Sequence, residues 1–233
     1  VFVEPGQLIA SGRDGDIFEY GPGLVLRKTR DGRSIEREAH IMQYVAEHGY
    51  PVPRIDDVRA EGTEIVMERI DGPLMMDAMV KGPRKLGAGA RTLADLADQL
   101  HAIAAPDWLR VLDDDGQSVL HMDLHPLNVI MSARGPIVID WGNACRGRPL
   151  SDIGCTYALL LGPRMPGPWV VRTLVQPVRA LIGRTFTSRY HGPELEAAIV
   201  QMARLKTLDA HMYPDEVARL ERIAHRHERR APG

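Results

Sequence analysis

Residues 121–140 read HMDLHPLNVIMSARGPIVID, and the placement of three side chains in that stretch decides the fold. Asp123 and Asn128 precede one apolar run, Val129–Ser132, and Asp140 ends a second, Ile137–Asp140. Both runs read as short strands, and Arg134-Gly135-Pro136 supplies the turn that folds one back on the other. A carboxylate, a carboxamide and a second carboxylate are thereby expected to converge. That set of hard oxygen donors suits phosphoryl transfer: one carboxylate orients the attacking hydroxyl, while an amide and another carboxylate hold Mg²⁺ against nucleotide phosphates. Singly, an Asp or Asn in a turn more often bonds its own backbone; it is the order and spacing that argue for chemistry here.

His121 to Asn128 fits the catalytic-loop pattern H-x-D-L-x-x-x-N, and Asp140-Trp141-Gly142 stands where a D-F-G would. HMDLHPLN followed by VIDWGNACRGRPLSDIG resembles the aminoglycoside phosphotransferase and choline kinase group of small-molecule kinases more than the protein kinases. The resemblance spans roughly Gly6 to Gly162 and departs at Leu127, where the group often has Gly, and at the aromatic Trp141. It implies an α+β, two-lobe protein kinase-like fold. Residues 1–70, with a hinge to about 72, would form an antiparallel sheet with one helix; residues 73–233 would form a mainly helical lobe with the catalytic loop and acceptor pocket. It also implies ATP and Mg²⁺ as cofactors, Asp123 as catalytic base, Asn128 and Asp140 as metal ligands, and a hydroxyl of a small molecule as acceptor. His121 would be scaffold, and His125 either approaches the transferring phosphate or is an ordinary satisfied histidine. Asp152 resembles the aspartate that braces the catalytic loop, although a carboxylate at a helix N-terminus is sufficient reason for it.

Towards the N-terminus, apolar stretches at 7–10, 17–20 and 23–28 flank Ser11-Gly12-Arg13-Asp14-Gly15-Asp16, the layout of a strand-turn-strand lid. Gly12 and Gly15 would let backbone N–H groups approach a phosphate, or merely make a hairpin turn. Leu24–Lys28 alternates as a strand ending in two cations. Arg27 is favoured as the phosphate-binding one, with Lys28 the alternative if the register slips by one. Between Ser34 and His48 a helix carries Ile35, Met42 and Val45 on one face, and Glu38 falls in that stripe. A carboxylate there needs a cation, Arg27 or Lys28, unless it sits at the stripe's edge and reaches water. Arg54–Val58 and Glu64–Glu68 read as a hairpin; the stretch from Met67 to Gly72, with Glu68 and Ile70, is by resemblance the connector that pairs with adenine.

Met79–Gly89 has no clear period and reads as a mobile loop, Thr92–Ile103 as a core helix, and Asp113-Asp114-Asp115 as a solvated loop. Only nine residues separate Asp140 from Leu150, where a helix capped by Ser151 is expected over 152–161. A peptide-binding activation segment has no room there, so the acceptor is expected to be a small hydroxylated molecule. Three further helices are expected: about 168–183 with a kink at Pro177, 193–211 and 214–229. From Arg189 onward eight Lys or Arg face seven acidic residues, and 5% of the chain is aromatic. Neither a polycationic aminoglycoside nor a choline-type cation is favoured by that composition.

A chain of 233 residues is long enough for two lobes. A net charge of −2 excludes a strong electrostatic case for nucleic acid or an acidic membrane. Cys145 and Cys155 lack metal spacing and read as buried thiols of a reducing compartment. No run is apolar for the roughly 20 residues that span a bilayer, and VFVEPGQ carries no basic region followed by an apolar one. A soluble, cytoplasmic protein is expected; the start at Val1 suggests that the natural N-terminus is absent. The rivals to a small-molecule kinase are a catalytically silent nucleotide-binding domain and a nucleotidyltransferase on the same fold.

Overall fold

Short alternating segments punctuated by Gly and Pro give way along the chain to helices that open on proline. The computed structural model describes residues 5–12, 15–164, 175–209 and 212–230. Packing divides the chain into two units, Val1–Pro73 with Val129–Ala144, and Leu74–Asn128 with Cys145–Gly233.

The first unit holds a five-stranded antiparallel sheet in the order β1-β2-β3-β5-β4, formed by β1 (Leu8–Ser11), β2 (Gly15–Glu19), β3 (Leu24–Thr29), β4 (Ile55–Arg59) and β5 (Glu64–Glu68). Helix α1 (Glu36–Glu47) belongs to this unit; Ile35, just before it, and Ala39 cluster with Ile65, and Ile55, Val58 and Met67 pack against them. Each strand lies within a residue or two of its expected bounds, because alternation and flanking turns are local signals. The same unit contains the hairpin β7 (Val129–Ser132) and β8 (Gly135–Val138), tied in by Met131 N–H to Pro73 O and Val138 N–H to Pro51 O, both 2.8 Å. Its turn is tighter than expected: Ser132 pairs Gly135, leaving Ala133-Arg134 as the loop, and Pro136 sits within β8 opposite Met131. The second strand therefore stops at Val138. Asp140 lies beyond it in left-handed backbone, φ 66°.

In the second unit β6 (Ser118–Leu120) pairs with β9 (Cys145–Gly147), and the helices are α2 (Met75–Met79), α3 (Pro83–His101), α4 (Pro149–Leu161), α5 (Gln176–Thr187), α6 (Pro193–Thr207) and α7 (Pro214–Glu228). Proline stands in the first turn of α3 through α7, where its missing N–H has no intrahelical partner to lose and its φ is already helical. The loop expected over Met79–Gly89 is instead the end of α2 and the start of α3. Gly87 and Gly89 do not break that helix; a Cβ at Gly89 would lie 2.4 Å from Met79 Cγ, so the glycine makes room for a fully buried side chain. Pro177 opens α5 and does not kink its middle; the earlier part of that expected helix, 168–174, lies outside the described residues, as do 210–211 of the next. Ser151 is not the cap of α4. It sits inside the first turn, and its hydroxyl donates to Asp113 Oδ2 at 2.6 Å. Asp113 is correspondingly buried, unlike the solvated loop expected for it, and also accepts from Arg148 N–H. Cys145 and Cys155 are free, buried thiols, joined in a core with Leu120, Met122 and Met202. No described helix is long and apolar enough to cross a membrane.

Helix α4 crosses α6 at short range, where a Cβ at Gly154 would lie 2.7 Å from the backbone carbonyl of Ala198. Gly154→Val should force the two helices apart and cost about 1–3 kcal/mol, read as a lower urea midpoint at unchanged m-value.

Candidate active site

Strand β3 sends Arg27 and Lys28 in opposite directions. Arg27 Nη1 donates to Glu38 Oε1, and its Nη2 lies 3.7 Å from Asp140 Oδ1. Trp141 N–H donates to the same Glu38 oxygen at 3.3 Å. Glu38 is buried in the face of α1, as its place among apolar residues foretells. Burial pushes its carboxyl up, the Arg27 guanidinium opposes that, and the nearby Asp140 carboxylate adds to it. Asp140 itself is about half exposed, with 49% of its side chain open to solvent. Lys28 faces away, with Nζ 2.9 Å from Glu64 Oε1 on the neighbouring strand. The register thus pairs Arg27, and not Lys28, with the helix carboxylate.

Gly12 N–H donates to Gly15 O at 2.9 Å. A Cβ at Gly15 would lie 2.5 Å from Lys28 O, so the close approach of β3 by itself requires glycine there. Residues 13–14 lie outside the described set. Asp16 is engaged by Arg30 and Ser11, and the Arg30 hydrogen bond holds its pKa down at about 2. In the connector, Glu68 accepts from Arg134 Nη2 at 2.6 Å and from Arg54 N–H at 3.2 Å, and Ile70 is half-buried.

The second unit carries the loop from His121 to Asn128. Asn128 Nδ2 donates to Asp123 O at 3.0 Å and to Asp123 Oδ2 at 3.1 Å, while Asn128 N–H donates to His125 O at 2.8 Å. His125 Nε2 stands 3.8 Å from Asp123 Oδ1. The fully buried His121 accepts the Asp123 N–H on Nδ1, at 3.2 Å. Beneath the loop, Asp152 accepts from His121 N–H at 3.1 Å, from Met122 N–H at 2.7 Å and from His101 Nε2 at 3.0 Å. Burial pushes this carboxyl up, but the His101 hydrogen bond and charge, with the backbone donors, hold it below its ordinary value.

Two participants have no local signature. His101 closes α3 and meets Asp152 from 51 positions away, and Lys206 in the last turn of α6 donates from Nζ to Met122 O at 3.2 Å across 84 positions. Each reads in the sequence as a basic residue in the last turn of a helix, which the macrodipole alone would explain. Among the described residues no group of three or more His, Cys, Asp or Glu forms a metal cage.

A strand cation paired with a helix carboxylate, followed by an H-x-D-L-x-x-x-N loop braced from below, defines a kinase-like α+β phosphotransferase fold. The model of the phosphotransferase enzyme family matches residues 6–115 and 106–185, and the chain belongs to that family. No curated protein matches it in sequence. Among solved structures, aminoglycoside phosphotransferase APH(4)-Ia is similar over 100% of this chain and 95% of its own, at 16% identity and a TM-score of 0.68. The streptomycin–ATP ternary complex of APH(2")-IIa is similar over 96% and 92%, at 15% identity and 0.63, and ADP-bound APH(2'')-Ib over 97% and 94%, at 14% and 0.62. At these identities the likeness is one of fold.

Because the folded pKa of Asp152 is depressed, its ionised form stabilises the fold above the ordinary value of 3.8, and that contribution is lost as pH falls through the folded value. Asp152→Asn should cost about 3 kcal/mol near neutrality. In urea unfolding from pH 7 to pH 3 the gap between wild type and variant should narrow at the acid end; a constant gap would show that the charge of Asp152 is not what counts.

Proposed function

We propose that the protein is an ATP-dependent phosphotransferase that moves the γ-phosphoryl group to a hydroxyl of a small molecule. Asp123 is the base, and Asn128 and Asp140 are the protein ligands of Mg²⁺. The observation that carries this reading is the Asn128 amide: both hydrogen bonds from Nδ2 go to Asp123, which leaves Oδ1 as a free hard acceptor beside the base. Asp140 adds a half-exposed carboxylate in strained backbone. Each is a hard oxygen donor of the kind Mg²⁺ takes, and that ion seldom uses an all-protein cage.

When bound, the ion would supply charge neutralisation at the phosphates. Arg27, fixed by Glu38, steadies the α and β phosphates. Asp123 accepts a hydrogen bond from the acceptor hydroxyl and takes its proton as the new O–P bond forms and the bond to the departing ADP breaks. Glu68 and Ile70 lie in the connector assigned to adenine, and Gly12 and Gly15 in the turn assigned to the phosphates. His125, with Nε2 3.8 Å from Asp123 Oδ1, is the further side chain that would meet the transferring group. The free thiols and the use of ATP fit a cytoplasmic setting.

A silent nucleotide-binding domain would have no use for a base held by an amide, and nucleotidyl transfer would add AMP to the acceptor where this reaction adds phosphate, a difference mass spectrometry reads directly. Asp123→Asn should lower kcat by about 10²–10⁴-fold with little change in the KM for ATP, and Asp140→Asn should raise the Mg²⁺ concentration needed for half-maximal turnover. Undiminished turnover by Asp123→Asn would overturn the assignment.

A further inference from the structure

We propose that Lys206 is a specificity-determining cation beside the catalytic loop, and that the acceptor carries, besides its hydroxyl, an anionic group such as a phosphate or a carboxylate. This rests on the phosphotransferase reading and narrows its acceptor.

The ammonium of Lys206 donates to the carbonyl of Met122, the residue immediately before Asp123. That carbonyl also accepts from Cys155 Sγ at 3.1 Å. An ammonium has three N–H donors, and this contact uses one. Among the described residues no carboxylate lies within ion-pair distance of Lys206. Other cations of this part of the chain are paired: Arg204, on the same helix, with Glu228, Arg219 with Asp215, and Arg189 with Asp95 and Asp98. Lys206 and Asp123 also act on the same buried thiol, Cys155, the ammonium pulling its pKa down and the carboxylate pushing it up against a larger effect of burial. Lys206 Nζ thus sits at the carbonyl that leads directly into Asp123.

Because the ammonium touches the residue before Asp123, an acceptor of a few carbons bound at Asp123 would have its other substituents within reach of this half-buried cation. Partial burial keeps water and salt from screening the charge fully. A cationic substituent would meet a like charge, while a phosphate or carboxylate would gain a charge-assisted hydrogen bond. The composition of the last helices points the same way, since eight Lys or Arg against seven acidic residues leave no carboxylate excess to hold a polycation.

The test is calorimetric titration of the full chain loaded with Mg²⁺ and AMP-PNP, using glycerol, glycerol 3-phosphate, glycerate and kanamycin as probes. The anionic probes should bind at least about ten-fold more tightly than glycerol and kanamycin, about 1.4 kcal/mol in binding free energy. Lys206→Met should erase that preference, and Lys206→Arg should keep most of it, both with unchanged affinity for AMP-PNP. Equal binding of anionic and neutral probes, tighter binding of kanamycin, no binding by any probe, or a preference that survives Lys206→Met would each overturn the proposal while leaving the phosphotransferase reading intact. Failure of the wild type to bind Mg²⁺ and AMP-PNP would instead defeat that reading.

Discussion

A carboxylate buried to 1% exposure, that of Asp152, holds the loop that carries Asp123 and Asn128. Removing such a charge from water is expensive unless its lone pairs are filled, and three donors fill them: two consecutive backbone N–H groups and the imidazole of His101. The consequence lies one residue along. Met122 adopts φ 63°, a left-handed conformation that costs a residue with a Cβ about 1–2 kcal/mol. Its N–H is gripped from below by Asp152 and its C=O by Cys155 and Lys206, so both ends of the strained residue are fixed. Asp123 follows directly and inherits that orientation.

The first unit repeats the arrangement with different parts. Glu38 is the buried carboxylate, Arg27 and the N–H of Trp141 are its donors, and the left-handed residue beside it is Asp140 at φ 66°. In both units a side chain proposed for chemistry stands at or next to a strained backbone position, and an adjacent N–H closes on a buried acid. Strain of this kind persists only where surrounding bonds over-determine the conformation. A core acid with good donors is a means of over-determining it from beneath, which leaves the carboxylates proposed for chemistry, Asp123 and Asp140, partly exposed.

How far the sequence disclosed this follows from the range of each signal. The strands, α1 and the pairing of Glu38 with a β3 cation were legible because alternation, helical periodicity and the cost of an unpaired buried acid act over a few residues. The catalytic loop was legible as a motif. The start of α3 was not, because Gly87 and Gly89 look like breakers until the space they leave for Met79 is known. Asp113 looked solvated in a run of acids, yet its partners Arg148 and Ser151 lie 35 and 38 positions away. Gly15 suited a phosphate-binding turn, but its backbone lies against Lys28 in any case, so the residue type alone never distinguished the two demands.

Chain length between fixed points also restricts what can be phosphorylated. Eight residues, 141–148, connect Asp140 to the first residue of α4, and three of them form β9 against β6. Trp141 is anchored by its N–H to Glu38 and by its ring N–H to Val138 O, and Arg148 by its N–H to Asp113. Almost every residue of the link is therefore committed to the fold before α4 begins and delivers Asp152 to the underside of the loop. A segment this short and this tethered cannot also extend as a platform for a polypeptide chain. The same shortness that sets the brace in place thus favours a small acceptor over a polypeptide one, and the ammonium of Lys206 touches the loop at Met122, where the proposed acceptor would need a partner.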